Sequence, residues 1–436
     1  FFSGSCCAMA APPPPPKEQA FSKRQPASAL TVGVPKEIHA LEKRVAIAPA
    51  NVPQLRKKGF KVAVEKGAGA EADFPDSAYQ AAGAEIVSKE DAFGADIVMK
   101  VRAPEEDGEA HELDLMKEGA TLICMVAPGQ NVGLLYKFQQ AKITAFAVDC
   151  IPRITRSQVY DVLSSMANIA GYKAVVEAAN SFGRYFKQTI TAAGKVNPAK
   201  VLVIGAGVAG LSAIATAKGM GAIVRAFDVR AACKEQVESM GAEFLEIKIQ
   251  ESGEGSGGYA KAMSKEYHEA EKEMIGQQCK DVDIIITTAL IPGKPAPKLV
   301  TTEQVASMKP GSVTVDLAAE NGGNIETTRP GEKYVFNDHV TCIGYVDLPS
   351  RLPTQSSSLF ANNVTKFLLA MGTGTDFGID LDDVVFRNSL LTLDGEMMWP
   401  PPPLPEQPKP PQAKKVKAAE AKAEEDPFYA TATKVG

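Results

Sequence analysis

The chain has 436 residues, 45% hydrophobic and 23% charged, with a formal net charge of −5, which is long enough for two domains that each bury a core. The acidic balance leaves no basic surface for a nucleic-acid backbone. Seven cysteines without a C-x-x-C pair and four scattered histidines argue against a disulfide framework and a zinc or haem site. No apolar run approaches the roughly 18 residues of a membrane span.

Residues 1–29 start without Met and are rich in Pro, Ala and Ser, with several basic residues. They read as the remnant of a processed leader or a disordered arm outside the fold. From Leu30 onward short apolar runs, "ALTVGVPKE", "KVAVEKGAG", "ADIVMKVRAP", "ATLICMVAP" and "ITAFAVDC", alternate with segments suited to helices. That alternation predicts a parallel sheet covered on both faces, in a first domain over 30–160.

A long helix follows. Val159, Val162, Leu163, Met166, Ile169 and Ala170 recur at the helical period. Thr155 with Gln158 three residues later fits a capping box at its start. The helix leads into a second domain over 161–350, where "AKVLVIGAGVAGL", "GAIVRAFD", "EFLEIK", "DVDIIITTAL", "GSVTVDLA" and "VTCIGY" again alternate with helical lengths. A helix over 356–372 has the spacing to pack back on the first domain. Residues 373–436 read as a Pro/Ala/Lys-rich tail, with eight prolines among residues 400–411, a composition that forms a semi-rigid spacer. The fold class is α/β: two Rossmann-like parallel-sheet domains flanking a cleft and joined by the long helix.

Gly205-x-Gly207-x-x-Gly210 follows a predicted strand and opens a predicted helix, and the next strand ends on Asp228. Gly205 suits a tight turn, Gly207 a close approach of backbone to pyrophosphate, and Gly210 close packing of helix on strand. The helix N-terminus supplies amides to the anion. Asp228 suits the adenosine ribose hydroxyls and repels a 2′-phosphate, which favours NAD over NADP. Arg230 is a complication, because a guanidinium there can serve a 2′-phosphate. A plain glycine turn and an adenosyl-cofactor site are the other readings. Thr288, Ala289 and Leu290 fall at the carboxyl end of another strand, beside a Pro-rich loop that either walls a ligand or is merely rigid.

Arg153, Gln158, Asp161 and Ser164 cluster where the first domain meets the long helix, with Asp161 and Ser164 on one helical face. Together they offer the donors and acceptors that hold a nicotinamide carboxamide. The plainer readings are a cap for Gln158, a helix-dipole acid for Asp161 and a surface ion pair for Arg153.

"PRITRSQVYDVLSSMANIAGYKAVVEAAN", "GAGVAGLSAIATAKGMGAIVRAFDVR", "TTALIPGKPAP" and "GYVDLPSRLPTQSSSLFANN" together resemble the NAD(H)-binding domain of proton-translocating NAD(P) transhydrogenases, over roughly residues 30–372. That family belongs with the alanine dehydrogenases. The resemblance implies that NADH binds between the domains and gives its hydride directly to NADP⁺. The NADP(H) is held by a partner domain or subunit, and the exchange is coupled to proton movement through a membrane part. It implies that Arg153, Gln158, Asp161 and Ser164 lie about the nicotinamide, with Gln158 also reaching toward the other nucleotide and Ile154 and Thr155 among the cofactor-binding residues. Gly205, Ala206, Gly207, Val208, Gly210, Asp228, Val229, Arg230, Thr288, Ala289 and Leu290 would line the rest. "GSGGYAKAM" matches a mobile loop whose Gly258 and Tyr259 close over the nucleotide. A homodimer and a Pro-rich approach to membrane helices are further implications.

Two other readings compete. An alanine dehydrogenase-like enzyme needs a cationic site for a carboxylate and an acid/base in the cleft. That family carries a histidine and a lysine where Met125 and Arg102 stand here. A non-catalytic NAD-binding subunit is the third reading. The start suggests a mitochondrial inner-membrane protein facing the matrix, with a bacterial cytoplasmic face as the alternative. The chain is then either a separate subunit or a fragment of a longer one.

Overall fold

The computed structural model describes residues 21–108, 110–249, 251, 253, 263–290 and 295–403. The apolar runs of the sequence become parallel strands. Thr31–Val34, Lys61–Glu65, Glu85–Val87, Ile97–Arg102, Thr121–Met125 and Thr144–Ala147 form one sheet, arranged third, second, first, fourth, fifth, sixth. Lys200–Ile204, Ile223–Phe227, Glu243–Phe244, Ile284–Thr287, Ser312–Asp316 and Val340–Ile343 repeat that order in a second sheet. Helices cover both faces of each, so a central strand such as Ile284–Thr287 is buried at every position. The order reverses between the first and fourth strands, and a crevice opens there beyond their carboxyl ends. In the first sheet it lies beside Val34 and Arg102, in the second beside Ile204 and Thr287.

Both sheets gain antiparallel edges. Lys333–Phe336 pairs with Val340–Ile343 in the second. In the first, Leu390–Leu393 pairs with Thr144–Ala147 and turns back as Glu396–Met397. The tail expected from residue 373 therefore enters the fold as far as the strand Glu396–Met397. The reason is its apolar alternation: Phe377, Ile379, Val385, Leu390 and Leu391 are all buried. The arm expected to lie outside as far as residue 29 needs the matching correction. Phe21–Pro26 pairs antiparallel with Asp376–Asp380, and Ala27 is buried behind it.

The helix Val162–Ser181 joins the two halves. Val162, Met166 and Ile169 belong to the core around the first sheet, and Ala174, Val175 and Ala178 to the core around the second. The domain boundary, expected at 160/161, thus falls inside the helix. The return helix Pro353–Leu369 buries Phe360, Val364, Phe367 and Leu368 in the first core. Across the cleft Gln130 Nε2 donates to Asn321 Oδ1 at 3.3 Å, linking the loop that follows Thr121–Met125 in the first sheet to the one that follows Ser312–Asp316 in the second.

Candidate functional site

The glycine loop leaves the strand Lys200–Ile204 at Gly205, whose φ of +100° a side chain rarely adopts. A Cβ on Gly210 would lie 1.8 Å from the Gly205 carbonyl oxygen, so the helix Val208–Gly219 rests directly on the turn. Gly207 differs from both. Its φ is −77°, and the nearest atom a Cβ would meet is Arg230 Nη2 at 3.9 Å. That side of the loop is an open cradle, faced by the first-turn amides of the helix, which have no carbonyl behind them. Ala206 is buried and Val208 exposed. The long helix braces the loop from below. A Cβ on Gly171 would stand 2.0 Å from the Ala209 carbonyl oxygen, and Ser212 Oγ donates to the Asn168 carbonyl at 2.6 Å.

Asp228 ends up beside this loop because its strand, Ile223–Phe227, neighbours Lys200–Ile204. Oδ2 accepts from Ala206 N and Arg230 Nη2, both at 2.7 Å, and Oδ1 from Arg230 N and Nε at 2.9 and 2.8 Å. Burial pushes the Asp228 carboxyl up, but the Arg230 side chain and the two amides outweigh it and hold it below its ordinary range. Arg230 therefore lies forked on Asp228. Val229 is pressed by Gly253, where a Cβ would come within 2.4 Å of the Val229 carbonyl oxygen.

Thr288 follows the strand on the other side of the crevice. Its N donates to the Ile204 carbonyl at 2.8 Å and its Oγ1 to that of Gly205 at 3.1 Å. The next residue is fixed by one that sequence reasoning missed. Asn324, wholly buried, accepts from Ala289 N at 3.0 Å and donates through Nδ2 to the carbonyls of Ala289 and Pro297 at 2.8 and 2.9 Å. The signal was the preceding Gly322-Gly323 pair, both at positive φ, a turn that delivers the asparagine. Leu290 is exposed. Residues 291–294, Gly258 and Tyr259 lie outside the described residues.

The expected cap at Thr155 and Gln158 is corrected by the structure. Thr155–Tyr160 is a separate 3-10 helix, in which Ser157 Oγ donates to the carbonyls of Pro152 and Ile154. The long helix starts only at Val162, because Asp161 is its cap: Oδ1 accepts from Ser164 N at 2.9 Å and Oδ2 from Ser164 Oγ at 2.6 Å. Val159, counted in the apolar stripe, is exposed. Arg153, Thr155 and Gln158 are exposed and Ile154 half-buried; among the described residues the Gln158 side chain has no hydrogen-bond partner. Ser164, Asn168 and Gly171 share one face of the helix by their spacing of four and three. The Asp161–Ser164 pair thus sits roughly 10 Å along the helix from the contact with the glycine-loop helix, at about 1.5 Å per residue. Two clusters that are separate in sequence lie on one side of one helix.

Little in this set suits proton transfer. Arg102, at the carboxyl end of the first sheet, is bound to Glu42 at 2.8 Å, and the paired position on the next strand is Met125.

The N-terminal and C-terminal domain models of the alanine dehydrogenase/PNT family match residues 33–170 and 174–400, meeting inside the long helix. The chain is 52% identical over 373 residues to NAD(P) transhydrogenase subunit alpha of Haemophilus influenzae, covering 85% of this chain and 72% of that one. It is 48% identical over 378 residues to NAD(P) transhydrogenase subunit alpha of Cereibacter sphaeroides, again covering 85% and 72%. A solved transhydrogenase from Sinorhizobium meliloti is similar with a TM-score of 0.74 and 39% identity, over 85% of this chain and 99% of that one. With both domains matched and relatives at about half identity over most of its length, the chain belongs to the alanine dehydrogenase/pyridine nucleotide transhydrogenase family.

Proposed function

We propose that this chain is the NAD(H)-binding component of a proton-translocating transhydrogenase, passing hydride directly to or from an NADP(H) held by a partner domain or subunit. Its family membership and its identity to transhydrogenase alpha subunits support an oxidoreductase component. The observation that carries the nucleotide reading is the open cradle at Gly207 with Asp228 at the end of the adjacent strand. A dinucleotide fits there on the donor set alone: a glycine that leaves room for phosphate, helix amides aimed at it, and an acid beside the ribose position. Bound there, the nicotinamide supplies the hydride.

The chain's own residues bind and orient. The amides after Gly207 take the pyrophosphate. Asp228 takes the ribose, and because all four of its acceptor positions are filled, a ribose hydroxyl must displace part of the Arg230 fork. Asp161 fixes the Ser164 hydroxyl by taking its proton in a hydrogen bond, which leaves the oxygen as an acceptor toward a carboxamide NH₂. Arg153 and Gln158, exposed on the rim, complete the grip, and Gln158 extends toward the partner's nucleotide. Hydride exchange between two nicotinamides transfers no substrate proton, so the site needs near-attack positioning and exclusion of water rather than an acid and a base.

The rest of the reading concerns assembly: a homodimer, bound to a membrane part that conducts protons. The membrane is the mitochondrial inner membrane on its matrix face, or a bacterial inner membrane on its cytoplasmic face. No helix among the described residues is long and apolar enough to cross a membrane. Equilibrium titration with NADH and NADPH tests the assignment. NADH should bind far more tightly, and equal affinities would remove Asp228 from its role.

A further inference from the structure

Gln158 stands on a short element. Thr155–Tyr160 is a 3-10 helix of six residues, a form with poorer hydrogen-bond geometry than an α-helix and seldom much longer than one turn. At three residues per turn its side chains fall into three rows: Thr155 with Gln158, Arg156 with Val159, and Ser157 with Tyr160. The last row faces inward. Ser157 is buried and donates to the carbonyls of Pro152 and Ile154, and Tyr160 meets the Phe367 ring edge-on with centroids 6.0 Å apart. The other two rows are exposed.

The row of Arg156 and Val159 is exposed and yet tied down. Arg156 Nη1 donates to Asp383 Oδ2 at 2.8 Å and Nη2 to Oδ1 at 2.5 Å, a two-bonded fork. Asp383 is itself fixed, because its Oδ1 accepts from Val385 N at 2.8 Å and so caps the helix Val384–Ser389. Phe386 of that helix packs on Phe367 at 5.3 Å, the ring that also takes Tyr160. Beside the fork, Asn363 Nδ2 in the return helix donates to the Val159 carbonyl at 2.8 Å, and its Oδ1 accepts from Ser165 Oγ at 2.8 Å. Gln158 thus lies between two residues anchored to other elements, while its own row faces outward. Arg156 is 53% exposed, so the fork fills no core. An exposed ion pair adds little to the stability of a whole fold. Its effect is local: it sets the orientation of the turn that carries Gln158, and a shift of about 1 Å in a positioned group is enough to slow a transfer.

We propose that Arg156 and Asp383 are positioning residues for hydride exchange, which act by pinning the turn that presents Gln158 to the partner's nucleotide. The proposal rests on the reading of Gln158 given above, and the two fail in different ways. The test is Arg156→Gln in the full chain, alone and combined with Gln158→Asn. In the nucleotide-free protein the amides of Ser157 and Asp161, which donate to the carbonyls of Ile154 and Gln158, should exchange with deuterium about two- to fivefold faster. The thermal midpoint and the affinity for NADH should not change. Single-turnover transfer with the NADP(H)-binding partner should slow about three- to tenfold, and Arg156→Gln should slow it no further once Gln158→Asn is present. Unchanged deuterium exchange, or an unchanged transfer rate beside a slowed Gln158→Asn, overturns the proposal and leaves the role of Gln158 standing. Slowing by Arg156→Gln that adds in full to that of Gln158→Asn also overturns it, because the pair then acts by another route. If Gln158→Asn alone transfers hydride at the wild-type rate, the reading of Gln158 fails and the proposal fails with it.

Discussion

Replacing Gly207 by alanine separates binding from folding at the glycine loop. The backbone at Gly207 has an ordinary φ of −77°, and the added Cβ would meet nothing closer than Arg230 Nη2 at 3.9 Å. The unfolded chain loses freedom while the folded chain gains no strain, so stability should stay level or rise by about 0.4–1 kcal/mol. The methyl group nevertheless stands in the cradle, between the first-turn amides and the phosphate that they would grip. Losing one or two charge-assisted hydrogen bonds costs roughly 2–4 kcal/mol, or about 30- to 700-fold in Kd for NADH. Gly210→Ala is the control. Its Cβ would sit 1.8 Å from the Gly205 carbonyl oxygen, so helix and turn must part, and stability should fall along with affinity. Thermal unfolding followed by circular dichroism, beside NADH titration by nucleotide fluorescence, reads both quantities. A folded Gly207→Ala that binds NADH like the wild type would refute the cradle, whatever Gly210→Ala does.

Gln158→Asn keeps the amide and shortens its reach. Because the side chain caps nothing in this structure, unfolding and NADH affinity should not change, while single-turnover transfer with the NADP(H)-binding partner should slow about ten- to a hundredfold; an unaltered transfer rate removes Gln158 from the exchange. Asp228→Asn trades two acceptor oxygens for one, so the preference for NADH over NADPH should narrow by about tenfold or more in competitive titration. Acid stability tests Glu42. Burial opposes its ionisation, but the hydrogen bonds and charge of Arg44 and then Arg102 prevail and hold its pKa at about 2 against an ordinary 4.5. A depressed carboxyl stabilises the fold above the unfolded pKa, and that stability disappears as pH falls from about 4.5 toward 2, on the order of 3 kcal/mol for such a shift. Denaturant unfolding of the wild type against Glu42→Gln across that window should show the difference shrinking with acid; a constant difference would mean that Glu42 does not titrate there.

The parts of this protein legible in its sequence are those that local chemistry determines. Short β-branched runs between helical lengths specify parallel strands wherever both faces will be covered, and the glycine spacing at 205, 207 and 210 specifies a turn whatever surrounds it. The strand ending on Asp228 follows from the same local rules. What the sequence could not decide depends on partners distant along the chain. The helical period runs through Val159 without a break, and only the Asp161 carboxylate, folded back on Ser164, shows where the helix begins. Phe21–Pro26 has no pattern of its own, and becomes a strand because Asp376–Asp380 offers an edge to pair with. Asn324 and Glu42 look like ordinary polar loop residues until the tertiary structure buries them, and burial obliges each to find partners for every polar atom. Asn324 meets that demand by fixing Ala289 at the crevice of the second sheet, and Glu42 by joining Arg44 to Arg102 at that of the first.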